Sequence, residues 1–259
     1  MRFMSSLAMA AITTTLLVGA ASAEQVHVGF AAEPYPPFSS PDASGNWSGW
    51  EVEFMNAMCD AAKLDCVITP IAWDGIIPAL TGGKIDMIVG SMTITKERKK
   101  SIDFSDKYYS APPGIVGAKD LKFDATPGTL AGKVIGVQVG SIHYAYAHKH
   151  YEPAGATIRD YPTQDEANND LLAGRIDATE MDRIAISTFL KTEQGAACCE
   201  LKGMVEFDPE VLGEGVGVGL RKGDKELKSK VNAAIAEIRK NGTYDALSKK
   251  YFDFDIYGG

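Results

Sequence analysis

Ser91, Thr93 and Arg98 stand close together in the run Ser91-Met92-Thr93-Ile94-Thr95-Lys96-Glu97-Arg98. A guanidinium presents a planar pair of donors that matches a carboxylate, which lysine cannot do, and hydroxyls and backbone amides beside it add further donors. Lys96, Lys99 and Lys100 surround Arg98, so a solvated cation on a helix is the equal alternative. Asp182 supplies the opposite charge, either as acceptor for an ammonium group or as a helix cap. Tyr35 and Trp73 offer aromatic faces that could flank a ligand; core packing is the alternative for both. Trp73 runs on into Asp74-Gly75, a loop sequence and not an apolar stripe. Glu33 and His143 are further groups with acid–base capacity, although a single histidine is more commonly a surface or helix residue. His148-Lys149-His150 puts its two histidines on different helix faces, so no metal site and no cofactor are expected.

The elements around these residues alternate. Gln25 to Phe30 reads as a strand, and the prolines of Glu33-Pro34-Tyr35-Pro36-Pro37-Phe38 make a stiff loop after it. A polar turn from Ser39 to Ser48 precedes a helix, Glu51 to Ala62, with Val52, Phe54, Met55, Met58 and Ala62 at helical spacing. Val67 to Ile71 is a second strand; Trp73 to Leu80 is a turn and short helix ended by Gly82-Gly83. Ile85 to Val89 is a buried strand with Gly90-Ser91-Met92-Thr93 at its carboxyl end. The pattern restarts downstream: Lys133 to Val137 is a strand, Gly140-Ser141 opens a helix, and Arg175 to Glu180 is a strand leading to Asp182. Glu214 to Leu220 reads as a glycine-rich extended crossover, and Lys225 to Lys250 as amphipathic helix broken at Asn241-Gly242. This is an α/β chain, in which ligands bind outside the carboxyl ends of the strands. Ser91, Thr93 and Arg98 lie at such a place.

Composition narrows the function. The first residues read as an export leader: Arg2, then apolar Leu7 to Ala20, then Ala21-Ser22-Ala23, with removal expected after Ala23. The apolar run is shorter than the ~20 residues of a spanning helix. Losing Arg2 takes the formal charge from −8 to −9, which argues against nucleic acid as a partner, and membrane insertion of the mature chain is not expected. Four cysteines, Cys59, Cys66, Cys198 and Cys199, would meet an oxidising compartment. A helix-to-strand staple between Cys59 and Cys66 is plausible. Adjacent Cys198 and Cys199 could pair with each other, stay free, or simply fill a lobe edge.

With these residues in place, the chain resembles the polar amino-acid family of periplasmic solute-binding proteins (solute-binding protein family 3), especially the lysine/arginine/ornithine- and histidine-binding proteins of ABC importers. Gly49-Trp50-Glu51-Val52-Glu53-Phe54 with Met58-Cys59, the run from Ser91 to Arg98, Asp103-Phe104-Ser105, and Asp245 to Tyr257 carry the likeness. Trp50 stands where the family has a smaller aromatic or aliphatic residue. The resemblance implies a two-lobed, type II periplasmic binding-protein fold, two α/β lobes joined by two crossover strands. It places residues 24–110 and 216–259 in lobe one and 111–215 in lobe two. It also implies a Cys59–Cys66 disulfide, a monomer in the periplasm, a membrane permease as partner, and no catalysis.

Residue by residue, the resemblance implies that Arg98, Ser91 and Thr93 hold a ligand α-carboxylate with help from Ser141 and Ile142, and that Asp182 accepts the α-ammonium. Tyr35 and Trp73 would be aromatic walls, and Gly90 has lost a family hydroxyl. Ala32 stands where lysine/arginine/ornithine binders carry an acid, with Glu33 one position later; Glu33 either reaches the pocket or points to solvent. The implied ligands are arginine, histidine, lysine or ornithine, glutamine, or an opine-like derivative, since Trp73-Asp74-Gly75 also resembles opine-binding relatives. The rival is a cyclohexadienyl/prephenate dehydratase-like enzyme on the same scaffold, with Glu33 or His143 as general acid.

Overall fold

The computed structural model describes residues 25–258; the leader expected over residues 1–23 lies outside them. Two five-stranded sheets organise the chain. The strands are β1 (Gln25–Ala31), β2 (Ser40–Pro41), β3 (Trp47–Ser48), β4 (Asp65–Ile71), β5 (Met87–Ile88), β6 (Asp103–Tyr109), β7 (Pro113–Ala118), β8 (Val134–Gln138), β9 (Thr157–Tyr161), β10 (Ala178–Asp182), β11 (Cys199–Met204) and β12 (Val216–Leu220). The first sheet runs β4-β1-β5-β12-β6, the second β11-β7-β10-β8-β9, and β2 and β3 form a small hairpin. In each sheet a parallel set (β4, β1, β5; β10, β8, β9) adjoins antiparallel strands, with β12 against β5 and β6, and β7 against β10 and β11.

The helices are α1 (Trp50–Ala62), α2 (Ile76–Thr81), α3 (Arg98–Ser101), α4 (Ile142–Tyr146), α5 (Gln164–Leu172), α6 (Arg183–Phe189), α7 (Glu193–Cys198), α8 (Lys225–Lys240) and α9 (Thr243–Ser248). α1 lays Val52, Phe54, Met55, Met58 and Cys59 into the core of the first lobe. The helix ends at Lys63, whose left-handed φ of 56° lets its amide return to the carbonyls of Asp60 and Cys59. Gly49 ahead of it has φ +125°, and the Phe38 carbonyl oxygen stands 2.3 Å from where a Cβ would be, so only glycine fits.

Trp50 is fully buried and donates through Nε1 to Ser248 Oγ at 3.0 Å. Around it are Phe54, Tyr108, Tyr109, Tyr244 and Phe252, with Phe54 stacked on Tyr108 at 4.3 Å. The larger residue at position 50 thus ties α1 to the C-terminal α9.

Several element bounds differ from the sequence reading. Within Ile85–Val89 only Met87–Ile88 is strand, an interior position that pairs with both β1 and β12 over two residues. The strand expected at Arg175–Glu180 is shifted to Ala178–Asp182, since β10 pairs with β7 through Asp182 and Asp177 bonds the β8 backbone instead. Ser141 is the cap of α4 and not part of it: its hydroxyl accepts from the Tyr144 amide. His148 and His150 lie in a π-helical turn, Ala147–Tyr151. His148 faces Glu152 and Asp160, while His150 faces Asp208. Among the described residues no cluster could hold a metal ion, and no helix is long and apolar enough to cross a membrane. Cys59 is bonded to Cys66 across α1 and β4, and Cys198 to Cys199 at the α7–β11 junction.

Candidate functional site

The carboxyl ends of β1 and β5 in one sheet face those of β8 and β10 in the other, and a cleft of about 640 Å³, mouth included, lies between them. From the first lobe come Glu33, Tyr35, Trp73, Gly90, Ser91, Thr93 and Arg98; from the second come Ser141, Ile142, His143 and Asp182. All the sequence-selected site residues therefore converge on one cavity, together with Glu51, Gln138 and Gln164.

Arg98 opens α3 and turns back over the loop before it. Its Nη1 donates to the Thr93 carbonyl at 3.0 Å and its Nη2 to the Gly140 carbonyl of the other lobe at 3.1 Å. The guanidinium carbon lies 5.5 Å from the Trp73 ring centre, within cation–π range. Burial pulls the Arg98 pKa down to about 10, with Asp182 opposing the shift, so it stays cationic at neutral pH. Gly140 adopts φ +73°, and a Cβ there would sit 3.7 Å from Trp73 Nε1. Trp73 thus packs against the lobe-two loop as well as on Arg98.

Asp182 ends β10, 6 % exposed, and accepts from the Tyr35 hydroxyl at 2.9 Å. Burial raises its pKa to about 7; the Tyr35 bond lowers it, Glu51 raises it, and Arg98 lowers it. Burial and Asp182 together hold the Tyr35 phenol well above its ordinary value. Tyr35 and Arg98 each bond across the cleft, so the groups that line it also join the lobes.

Two expectations are modified. Ser91 gives both its donors to Glu51, the amide at 2.7 Å and the hydroxyl at 3.1 Å, and its Oγ accepts from Tyr109 at 2.7 Å. It holds φ +54°, a left-handed conformation uncommon for a side-chain-bearing residue. The Ser141 hydroxyl is likewise engaged, donating to the Gln138 carbonyl at 2.6 Å. Ile142 begins α4, and its first-turn amide has no intrahelical acceptor. A Cβ at Gly90 would meet nothing closer than the Ala31 amide nitrogen at 3.7 Å, an ordinary van der Waals contact.

Glu33 lines the cleft, while Ala32 is exposed. Glu33 Oε1 faces the Trp73 amide at 3.4 Å, and Oε2 is buried without a hydrogen-bond partner. The acid displaced by one position therefore still reaches the pocket wall.

Sequence reasoning missed Glu51 and Glu180. Glu51 is 0 % exposed and receives Ser91 twice and the Tyr108 hydroxyl at 2.5 Å. Burial raises its pKa to about 7 against these hydrogen bonds, which lower it. Its position at the start of α1 reads as a solvated first-turn acid; the signal against that was its place beside Trp50 in the apolar run. Glu180 shares the Asp182 face of β10, two residues earlier, and strict strand alternation would have placed it inward.

Two α/β lobes with a cation on one wall, an acid on the other and aromatic faces between them define a clamp for a small zwitterion, the build of a solute-binding protein. Residues 26–254 match the family of bacterial extracellular solute-binding proteins, family 3. The chain is 41 % identical to the L-arginine-binding protein of Pseudomonas aeruginosa over 259 residues, covering all of this chain and 99 % of that one. It is 39 % identical over 256 residues to the lysine/arginine/ornithine-binding periplasmic protein of Escherichia coli, covering 95 % and 98 %. A solved ancestral arginine-binding protein bound to arginine superposes with a TM-score of 0.80 at 35 % identity, covering 88 % of this chain and 98 % of that one. The chain belongs to family 3 of the bacterial extracellular solute-binding proteins. It is a binding protein and not an enzyme.

Proposed function

We propose that the chain is the amino-acid-capturing component of an ABC importer and that its preferred ligand is a basic L-amino acid, arginine foremost. Glu33 carries the choice of ligand class. A buried carboxylate oxygen without a donor is costly, and Glu33 Oε2 is in that position at the pocket wall. A guanidinium at the far end of the ligand supplies the donors. The names of the two curated relatives support the same class.

In this reading Arg98 takes the α-carboxylate with Thr93 and the Ile142 amide, and Asp182 takes the α-ammonium. Tyr35 and Trp73 flank the aliphatic stem. Ser91 and Ser141 shape the two loops through the bonds of their hydroxyls to protein acceptors. Gly90 widens the wall. Ligand favours the closed clamp because it touches both lobes, which divide as 24–110 with 216–259 against 111–215. The closed form presents both lobes to the membrane permease. The protein works as a monomer in the periplasm, after a leader is removed behind Ala23.

Thermal unfolding in the presence of the standard amino acids, ornithine and citrulline tests this. A ligand at a thousand times its Kd adds about 4 kcal/mol, or about 8–16 °C in Tm for a protein of this size. Arginine is expected to give the largest shift. If no amino acid raises Tm, or a neutral or acidic one outranks arginine, the reading is wrong.

A further inference from the structure

Glu180 is a buried acid that the binding reading leaves unused. It is 0 % exposed, its Oε1 lies 3.4 Å from His143 Nδ1, and its Oε2 is buried without a partner. Among the described residues no lysine or arginine pairs with it. On the other side of the same imidazole, Nε2 stands 3.6 Å from Asp182 Oδ1, while Tyr35 holds Oδ2. His143 is therefore wedged between two acids, one below the cleft and one on its wall.

We propose that His143 is a positioning residue for the ammonium acceptor: Glu180, kept as the neutral acid, donates to Nδ1 and so locks the imidazole proton on Nε2, facing Asp182. The proposal rests on the reading of Asp182 as the ammonium acceptor.

The proton arrangement follows from the surroundings. An ionised Glu180 would be a buried charge without a cation and with Asp182 beside it; burial first, then Asp182, push it towards the neutral form. His143 is kept neutral by burial and by Arg98, which bring its pKa down to about 3. From the first lobe Arg98, Tyr35 and Glu51 face Asp182, and from the second Tyr146 and Tyr151 face Glu180. Of the five only Arg98 is a cation, and its charge acts on Asp182 and His143 rather than on Glu180. A neutral imidazole has one proton to place. On Nδ1 it could donate to Oε1 but would leave the Glu180 acid proton buried on Oε2 without an acceptor, and would set the Nε2 lone pair against the Asp182 carboxylate. On Nε2 it satisfies both neighbours. Asp182 then has Oδ2 bonded by Tyr35 and Oδ1 turned to the Nε2 proton across a 3.6 Å contact, which keeps the carboxylate aligned beside the cleft.

The test combines histidine nitrogen NMR with calorimetry on the mature chain, using L-arginine and desamino-arginine as probes. His143 is expected as the Nε2–H tautomer with an unprotonated Nδ1 at about pH 8, where Asp182, raised to about 7, is ionised. Glu180→Gln, which can still donate to Nδ1, should keep that tautomer, and Glu180→Leu should reduce its share, since only Asp182 then favours it. His143→Leu should weaken L-arginine about tenfold and leave desamino-arginine unchanged. An Nδ1–H tautomer or an imidazolium at His143 overturns the proposal, as does an equal loss for both probes in His143→Leu. The spectrum of the unsubstituted protein decides the matter even if Glu180→Leu does not fold. Asp182→Asn separates the two readings. If it spares the preference for L-arginine over desamino-arginine, the ammonium assignment fails; if it abolishes that preference while His143 is Nδ1–H, only the tautomer lock fails.

Discussion

Glu33→Gln removes one charge and almost nothing else. The glutamine keeps the length of the side chain and an oxygen for the Trp73 amide, which Glu33 Oε1 meets at 3.4 Å. What it loses is the anionic character of Oε2, the buried oxygen without a partner. Hydrogen bonds to charged groups contribute roughly 1.5–3 kcal/mol against about 0.5–1.5 for neutral ones. The difference is about 1–1.5 kcal/mol, so at about 1.4 kcal/mol per factor of ten the substitution should weaken arginine by roughly 5–12-fold. Citrulline has the same shape without the cation, so its affinity should change by no more than a few-fold. The cycle of two proteins and two ligands isolates the coupling between position 33 and the distal charge. Calorimetric titration at neutral pH reads all four affinities. Equal losses for arginine and citrulline would mean that Glu33 supports the Trp73 loop and does not meet the ligand's cation. No loss for either would place the far end of the ligand elsewhere.

Arg98→Ala should weaken arginine at least a hundredfold in the same titration while circular dichroism stays unchanged, because the side-chain hydrogen bonds of Arg98 go only to the Thr93 and Gly140 carbonyls and its backbone bonds remain; retained affinity would show that the carboxylate is held elsewhere. Gly90→Ser, with the nearest atom 3.7 Å from its Cβ, should fold normally and tighten amino-acid binding severalfold by restoring a donor, and a fall in Tm of the free protein would show that the space is illusory. Acidification should stabilise the free protein between about pH 6.5 and 5.5. Glu51 and Asp182, raised to about 7, are protonated there when folded and ionised when unfolded. Their stabilisation is therefore full below the unfolded values near 4 and lost as pH rises through 7. His143, lowered to about 3, works oppositely, since it binds a proton only on unfolding. With Glu180, which burial and Asp182 also keep protonated in the folded state, three acids against one histidine leave about two extra protons, roughly 2.7 kcal/mol per pH unit or about 5–11 °C in Tm, and scanning calorimetry showing a flat or falling Tm would refute the balance.

The convergence of Trp73, Arg98 and Asp182 on one cleft was legible because residues in loops at strand ends are freer of core packing than those within the strands. Trp73 before Asp74-Gly75, and Arg98 after a hydroxyl-rich run, are of that kind. Glu33 was legible as a residue but not as a neighbour, since a one-position shift in a proline-rich loop changes direction in a way that composition does not encode. Glu51 and Glu180 were illegible for a different reason. Carboxylates normally mark solvent-facing positions, and only the tertiary environment brings Tyr108 and Ser91 to one and His143 to the other. The Ser91 hydroxyl, expected to serve the ligand, serves Glu51 because the loop's left-handed turn points it inward. Strand bounds moved where partners, and not propensities, set the length of pairing.

The order of strands has a consequence for how the chain is made. β12, Val216–Leu220, lies in the interior of the first sheet between β5 and β6, whereas the second sheet draws all its strands from the continuous stretch between Pro113 and Met204. A chain emerging N-terminus first therefore has every strand of lobe two before lobe one receives the piece that joins its halves. Pairings so far apart in sequence form late because the loop must close before they repay it. More than two hundred residues of the sequence precede β12, and the lobe bearing Arg98 is the last part of the clamp to become a finished surface.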